Sequence, residues 1–292
     1  MTTKLGMIGL GRMGGNMTQR LRAHEIEVIA YDRDPGLSEV ADLAGLVAAL
    51  PAPRRVWVMV PSGAPTDDTF AHLVPLLDAG DTIVDGGNSN WNVTVARAEQ
   101  LAEQGIALVD AGVSGGVWGR EEGYALMVGG TDEAVAGLMP IFDALRPPQG
   151  GFSHAGPPGA GHFAKMIHNG VEYGMMQAMA EGVELLDAGG PGDLDVTSIV
   201  AGWQHGSVVR SWLLDLLVLA MEDEEGFAAI RGYAEDSGEG RWTVEEAIAT
   251  ATPAPVITAA LYARFASRQD DALAMRVIAA LRQQFGGHGV KT

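Results

Sequence analysis

The 292-residue sequence contains no cysteine, which excludes disulfide bonds, thiolate catalysis and a common kind of zinc ligand. This absence is compatible with a reducing compartment, and we expect a cytoplasmic protein. Residues 1–9 run directly into a strand pattern, so we expect no signal segment. No uninterrupted apolar run reaches the ~18 residues of a membrane span, so we expect no membrane insertion.

Basic residues are also scarce, with 19 Lys and Arg against 37 Asp and Glu and a net charge of −18. This balance argues against nucleic-acid binding, which requires a basic surface. It does not exclude an anionic small substrate, because exposed charges beyond about 8 Å are largely screened while close arginines interact strongly. No cluster of His, Asp and Glu has metal-ligand spacing, so we expect no metal.

A glycine triplet near the start of the chain predicts a dinucleotide site. A strand at 4–9 leads into Gly9-Leu10-Gly11-Arg12-Met13-Gly14, a helix continues over 16–23, and a second strand at 26–31 precedes Asp32. This order within about 30 residues is typical of a Rossmann-type βαβ unit. Backbone N–H groups of the triplet can bind a pyrophosphate, and Asp32 can accept hydrogen bonds from a ribose. A tight turn without a ligand is the alternative.

Asp32 also bears on the choice of nicotinamide cofactor. Its carboxylate repels a ribose 2′-phosphate, which favours NAD over NADP. Arg33 could accommodate that phosphate, so NADP stays open.

Strands and helices continue to alternate through the first half. Strand patterns at 55–60, 82–85 and 107–110 are separated by helical patterns at 66–77 and 92–103. This alternation predicts an α/β fold with a doubly wound parallel sheet, whose ligands lie at the carboxyl ends of the strands. Three loops follow those ends and could meet at one crevice: 61–63, 85–89 and 112–116.

The second half has a different pattern. Residues 146–158 are rich in proline and glycine, which predicts a junction between a dinucleotide-binding domain, 1–158, and an all-α helical substrate and dimerisation domain, 159–292. A long helix is predicted over 159–188. Further helical patterns cover 194–204, 208–221, 244–250, 255–266 and 271–284.

One stretch of the long helix carries several polar side chains on a single face. At ~100° per residue, Lys165, His168, Asn169, Glu172 and Tyr173 fall on one side of the helix. A solvated polar face is the ordinary interpretation of such a pattern. However, the same stripe continues with methionine and valine, and a base, an acid, an amide and an imidazole together suit proton transfer.

With these motifs, the chain resembles the decarboxylating 6-phosphogluconate dehydrogenases, in the short form that lacks the second helical half of longer members. The resemblance covers essentially the full length. It rests on residues 9–16, 85–89, 112–116, 165–173, 235–243 and 285–288.

The resemblance implies a mechanism and a set of site residues. Lys165 would take the proton of the substrate's 3-hydroxyl, and Glu172 would protonate C1 after CO₂ is lost, with Asn169 assisting. The implied cofactor residues are Gly9, Leu10, Gly11, Arg12, Met13, Gly14, Asp32, Arg33, Val60, Pro61 and Asn88. The implied residues for the sugar-acid phosphate are Asn88, Ser114, Gly115, Gly116, His168, Asn169, Tyr173, Arg264, Arg282 and His288.

The resemblance also implies a homodimer or homotetramer, in which Arg282 and His288 of the C-terminal tail reach a partner's site. One departure concerns the phosphate. Longer members carry a lysine in a glycine- and lysine-rich segment, whereas this chain has only the shorter stretch 237–243. Arg241 could substitute for that lysine.

Three alternatives remain open at this stage. A related β-hydroxyacid dehydrogenase would oxidise a small 3-hydroxy acid without losing CO₂, and would not need Glu172. The same reaction could use a deazaflavin as the hydride acceptor. A protein with the same fold but no activity would more readily have lost Lys165 or Asn169, since fold does not fix function.

Overall fold

A computed structural model describes residues 3–286, 289 and 291. The chain divides into two compact units, Met1–His168 and Asn169–Thr292. The division falls inside one long helix, whereas the sequence predicts a junction at the start of that helix, between residues 158 and 159. The junction at 158 therefore stays a prediction.

The first unit contains one sheet. Its strands are Lys4–Ile8 (β1), Glu27–Tyr31 (β2), Arg55–Val58 (β3), Thr82–Asp85 (β4), Ala107–Ser114 (β5), Ala125–Gly129 (β6) and Phe152–Gly156 (β7). Within the described residues they pair in the order β2-β1-β3-β4-β5-β6-β7, and β1 to β5 are parallel. The winding direction reverses between β1 and β3, which is where doubly wound folds bind ligands.

This sheet, followed by a helical unit, confirms the predicted fold class, with a difference at one edge. Strand β5 is longer than predicted and pairs with β6 in the antiparallel sense, with Ser114 opposite Ala125. Residues 112–114, predicted as a loop, therefore lie in a strand. Strand β7 lies within the stretch 146–158, which the sequence predicts as a junction between domains. The glycines of this stretch flank a short run of residues that pairs with β6.

Short helices cover the two faces of the sheet. They are Arg12–Ala23 (α1), Leu43–Ala48 (α2), Ala64–Leu73 (α3), Trp91–Ala102 (α4), Gly119–Glu122 (α5) and Asp132–Leu145 (α6). Side-chain oxygens of Asp42, Asn90 and Thr131 accept hydrogen bonds from the first turns of α2, α4 and α6. Such caps satisfy backbone N–H groups that have no partner within the helix.

Alternation along the strands creates two apolar clusters, one on each face of the sheet. On β3, the buried Trp57 packs with residues of α1 and α6, whereas Val56 and Val58 pack with residues of α2, α3 and α4. Because successive strand residues point to opposite faces, a short strand contributes to both clusters. The sheet is therefore buried on both sides, and its loop-bearing edges remain for binding.

The long helix, Ala160–Ala188 (α7), begins in close contact with the sheet. Asp110 on β5 is fully buried, and its two oxygens accept the N–H groups of Gly159 and His162, each at 2.7 Å. A carboxylate suits the start of a helix because N–H groups without partners and the positive dipole end meet there. A Cβ on Gly161 would lie 2.6 Å from backbone atoms of β5 and β6, so only glycine permits this approach.

The second unit is helical. Besides most of α7, it contains Val196–Gly202 (α8), Trp212–Glu222 (α9), Glu224–Ala229 (α10), Glu239–Ala249 (α11), Pro255–Ala266 (α12) and Leu273–Gly286 (α13). Met179 and Val183 of α7 pack with α8 and α9, and Tyr173 and Met176 pack with α11 and α12. The apolar continuation of the polar stripe on α7 is thus covered by neighbouring helices.

Helix length and polarity also bear on membrane insertion. Helix α7 has 29 residues but includes Lys165 and Glu172, and the more apolar α9 has only 11 residues. Across the described parts of the chain, no helix is both long and apolar enough to cross a bilayer.

Gly161→Ala tests the contact between α7 and the sheet. We expect its urea unfolding midpoint, followed by circular dichroism, to fall by the equivalent of about 1–3 kcal/mol, because the neighbouring backbone atoms cannot move aside. Gly137→Ala in α6 is the control, since no described atom lies within 4 Å of the added Cβ. That change should be neutral or stabilising by up to ~1 kcal/mol. Equal midpoints for the two variants would contradict the close approach.

Candidate active site

The three glycines of the turn after β1 have three different roles. Gly9 has a φ of 92°, and a Cβ there would lie 2.4 Å from the Met59 carbonyl oxygen. A Cβ on Gly14 would lie 1.9 Å from the Gly9 carbonyl oxygen. At Gly11 an added Cβ would meet no described atom within 4 Å, so this side of the turn is open. Turn, ligand approach and helix packing are the three roles that glycines have in dinucleotide-binding turns.

The structure places Asp32 beside this turn, as the sequence predicts. The Leu10 N–H donates to one Asp32 carboxylate oxygen at 2.6 Å, and the Asp34 N–H donates to the other at 2.9 Å. These bonds join the end of β2 to the glycine turn. Arg33 is exposed at the next position.

The remaining predicted cofactor residues of the first unit flank the same switch point. Arg12 and Met13 begin helix α1, and Val60 and Pro61 follow β3. Because β1 and β3 are adjacent and parallel, the two segments leave the same edge of the sheet. Thr66 donates from its hydroxyl to the Pro61 carbonyl oxygen at 2.9 Å, which fixes the second segment.

Asn88 lies exposed in a turn that a buried aspartate organises. Asp85, at the end of β4, is fully buried and accepts hydrogen bonds from the Gly87 N–H at 3.2 Å and the Ser89 hydroxyl at 2.9 Å. Arg97 also donates to it at 3.1 Å. Asp85 has no role in the prediction from sequence, although an acid at a strand end before two glycines is the signal that could have identified one.

A buried arginine of α1 holds the short helix that follows the predicted substrate loop. Gly115 and Gly116 follow Ser114 with φ values of 133° and 53°. Arg20, which is 6% exposed, donates hydrogen bonds of 3.0–3.1 Å to five backbone carbonyl oxygens in α5 and at the end of α6. Carbonyl groups at helix C-termini attract cations. Sequence reasoning missed Arg20, because its partners lie 100 to 126 residues away.

Lys165 is buried, with 6% of its surface exposed, where α7 crosses β5. A Cβ on Gly112 would lie 2.3 Å from the Lys165 Cβ. The close approach of the strand and the helix therefore requires a glycine at position 112. Ser114 is two residues further along β5 and therefore points to the same face as Gly112. The lysine and the predicted substrate loop thus share one strand as their support.

In the second unit, α7 is joined to the segment before α11. The Asn169 side-chain N–H₂ donates to a carboxylate oxygen of Glu239, and both residues are buried. The Tyr173 hydroxyl accepts a hydrogen bond from the Ser237 N–H at 2.9 Å. Two predicted substrate residues are therefore fixed by one segment. Glu239 lies within the motif 235–243, where the sequence predicts no role for it.

His168 and Glu172 are half-buried on α7. The helix is continuous from Ala160 to Ala188, so Lys165 and Glu172 are separated by seven residues, or about two turns, as the sequence predicts.

Arginines of the second unit stack on aromatic rings. The Arg264 guanidinium lies 3.5 Å from the centre of the Tyr173 ring, and Arg241 and Arg268 lie 4.6 and 5.4 Å from that of Phe265. Cations are attracted to aromatic faces. The structure therefore places the predicted Arg264 and Tyr173 together, and adds Arg268, which sequence reasoning missed.

Asp236 joins two of these arginines. Arg241 donates to it at 2.6 Å and Arg268 at 2.5 Å. Hydrogen bonds from Arg241, and then from Arg268, hold the pKa of Asp236 well below its ordinary value despite its burial. The hydrogen bond to Asp236 in turn raises the pKa of Arg241, which is exposed. Arg241 is thus held by a carboxylate as well as by the Phe265 ring.

The two predicted tail residues have different standing. Arg282 is exposed on α13, and His288 lies outside the described residues. Among the residues that the structure describes, no group of three or more histidine or carboxylate side chains could hold a metal ion.

The first unit has a glycine turn at a switch point and an acid at the end of β2. The helix that follows it bears a buried lysine. Together these features are typical of a dinucleotide-dependent dehydrogenase. Comparison with known proteins gives the family. Residues 4–147 match the NAD binding domain of 6-phosphogluconate dehydrogenase, and residues 161–289 match the C-terminal domain of that enzyme. The chain belongs to the 6-phosphogluconate dehydrogenase family.

Individual relatives support this assignment. An NAD(+)-dependent, decarboxylating 6-phosphogluconate dehydrogenase of Haloferax volcanii is 42% identical over 297 residues, covering 98% of each chain. The solved Plasmodium falciparum 6-phosphogluconate dehydrogenase has a TM-score of 0.84 at 24% identity, covering 99% of this chain and 66% of that one. This chain is therefore a short form.

A Mycobacterium tuberculosis 3-hydroxyisobutyrate dehydrogenase has the same fold, with a TM-score of 0.74 at 23% identity, covering 97% of this chain and 100% of that one. Because dehydrogenases named for two different substrates share it, the fold alone does not identify the substrate.

Proposed function

We propose that this chain catalyses the oxidative decarboxylation of 6-phosphogluconate to ribulose 5-phosphate and CO₂ with a nicotinamide cofactor. The observation that carries the proposal is helix α7, which bears a buried lysine and, about two turns later, a carboxylic acid. The decarboxylating relative, which matches over nearly the full length of both chains, supports it.

Lys165 is the proposed base. The bound nicotinamide supplies the hydride acceptor for C3 of the substrate. Lys165 takes the proton of the 3-hydroxyl, and its ammonium then stabilises the 3-keto oxygen as CO₂ leaves. A lysine can act in this way only where its surroundings favour the neutral amine, and burial does so by withdrawing water from the charged form.

Glu172 is the proposed acid that protonates C1 of the enol left by decarboxylation, while Lys165 takes the proton of the enol hydroxyl to give the ketone. This step separates the reaction from simple oxidation of a 3-hydroxy acid, in which no carbon needs a proton. The half-buried position of Glu172 on the helix that bears Lys165 favours the decarboxylating reaction over that alternative.

For the cofactor we propose NAD, with the glycine turn holding the pyrophosphate and Asp32 the ribose. Gly11 leaves the turn open, and Asp32 is fixed by backbone N–H groups of Leu10 and Asp34. Asp32 and the exposed Asp34 place two carboxylates after β2, and carboxylates there repel a ribose 2′-phosphate, which disfavours NADP. The named cofactor of the Haloferax relative agrees. Activity measured with a deazaflavin in place of NAD would show whether it can serve as the hydride acceptor.

The substrate phosphate is proposed to bind among Arg264, Arg268 and Arg241. Guanidinium groups bind phosphate in a bidentate manner. Asp236 holds two of them in place, and the ring of Tyr173 holds the third. This basic cluster would offset the acidic surface at short range.

We propose a cytoplasmic homodimer or homotetramer in which the tail bearing Arg282 and His288 reaches a partner's site. Helix α13 supports this, because it exposes apolar side chains that belong to none of the hydrophobic clusters among the described residues: Leu273, Met275, Val277, Ile278 and Leu281. Exposed apolar surface of this kind marks interaction sites.

Sedimentation of the native chain should show a dimer or larger species, and a monomer at micromolar concentration would exclude the shared site.

The purified chain should release CO₂ from 6-phosphogluconate with NAD, more efficiently than with NADP or a deazaflavin, and should not act on simple 3-hydroxy acids.

Lys165→Met should abolish cofactor reduction, because the 3-hydroxyl then has no base. Lys4→Met, which removes a half-buried lysine of β1 paired with Glu27, is the control and should retain activity. Cofactor reduction by Lys165→Met would remove the proposed base.

Glu172→Gln should lower turnover by roughly 10²-fold or more, the contribution of a positioned general acid. Glu184→Gln, an exposed change on the same helix, should keep normal turnover. Measurement of CO₂ and ribulose 5-phosphate together tests the assignment, and normal product formation in Glu172→Gln would refute it.

A further inference from the structure

Glu239 is a buried carboxylate to which the proposed chemistry assigns no role. It is the first residue of α11, directly after Gly238, whose φ is 91°, and only 2% of its surface is exposed. Burying a carboxylate is costly unless hydrogen bonds compensate. Its position therefore needs an explanation beyond helix capping.

The first turn of α11 is fixed against α7 by close packing. A Cβ on Gly240 would lie 2.5 Å from a ring carbon of Tyr173, and a Cβ on Gly170 would lie 2.7 Å from the Thr243 methyl group. The Thr243 hydroxyl donates to the Glu239 carbonyl oxygen at 2.8 Å. The backbone that carries Glu239 therefore has little freedom to move relative to this part of α7.

The Glu239 side chain meets the amide of Asn169. One of its oxygens accepts from the Asn169 side-chain N–H₂ and also from the Ser237 hydroxyl, at 3.4 Å. Because a carboxylate oxygen accepts this bond, it faces the nitrogen of the Asn169 amide rather than its oxygen. The carboxylate thus selects one of the two orientations of the amide.

We propose that Glu239 is a positioning residue for the reaction, which holds the Asn169 amide in the single orientation that the substrate meets. The inference rests on the proposed function, in which Asn169 contacts the substrate. A glutamine at 239 would remove this selection, because its amide can donate as well as accept and so pairs with either orientation of Asn169.

A purely structural role for Glu239 makes a different prediction. It would lower stability when the side chain is changed, but the remaining folded enzyme would turn over normally. A positioning role acts through Asn169, so it disappears when Asn169 itself is removed. Coupling between the two positions therefore separates the two roles.

The experiment compares four proteins in 6-phosphogluconate oxidation: the native chain, Glu239→Gln, Asn169→Ala and the double variant. We expect Glu239→Gln to lower kcat by about 10-fold to 100-fold, the usual effect of a misplaced reacting group. With substrate deuterated at C3, its isotope effect on kcat should rise as oxidation becomes slower. In the Asn169→Ala background, the same change should alter kcat by less than about twofold.

Two further variants complete the test. Glu246→Gln, on the same helix, is the matched control and should keep native kcat. Glu239→Asp retains the charge but shortens the side chain, so it should show the same coupling to Asn169 if Glu239→Gln does not fold. Melting temperatures confirm that every variant is folded under the assay conditions.

Native kcat in folded Glu239→Gln, or an equal loss with and without Asn169, would overturn the inference. Failure of the native chain to oxidise 6-phosphogluconate would instead overturn the proposed function.

Discussion

Two hydrogen bonds accepted by one buried carboxylate set the position of the helix on which the proposed chemistry depends. Asp110 accepts the N–H groups of Gly159 and His162, and so fixes the start of α7 on strand β5. Gly112, two residues along that strand, faces Lys165. The strand then ends at Ser114. The lysine and the loop after the strand therefore share a single support.

Much of this arrangement could be predicted from the sequence, because local patterns encode it. The glycine turn and Asp32 lie within one βαβ unit, and the structure joins them through Leu10. The predicted helix 255–266 matches α12, because Pro255 suits the first helical position. The polar stripe of α7 depends only on helical periodicity, and the apolar residues that follow it are packed as that periodicity requires.

Other features depend on contacts between distant segments. Arg20 binds carbonyl groups more than 100 residues away, and Glu239 meets an asparagine 70 residues before it. Helix α11 begins five residues before the predicted start at 244. Gly240 is of a residue type that favours turns, but here it lies inside the helix because the Tyr173 ring leaves no room for a side chain. Strand β5 continues past its predicted end because β6 returns beside it. Composition alone does not reveal such pairings.

The continuity of α7 limits how chains of this kind can change in length. An inserted or deleted residue between Lys165 and Glu172 would rotate the following part of the helix through about 100°, so the proposed base and acid would no longer share a helical face. Insertions are tolerated far better in connecting segments, such as the one that precedes α11. Divergence among homologous chains should therefore accumulate in the lengths of their loops, while the interval between these two side chains stays constant.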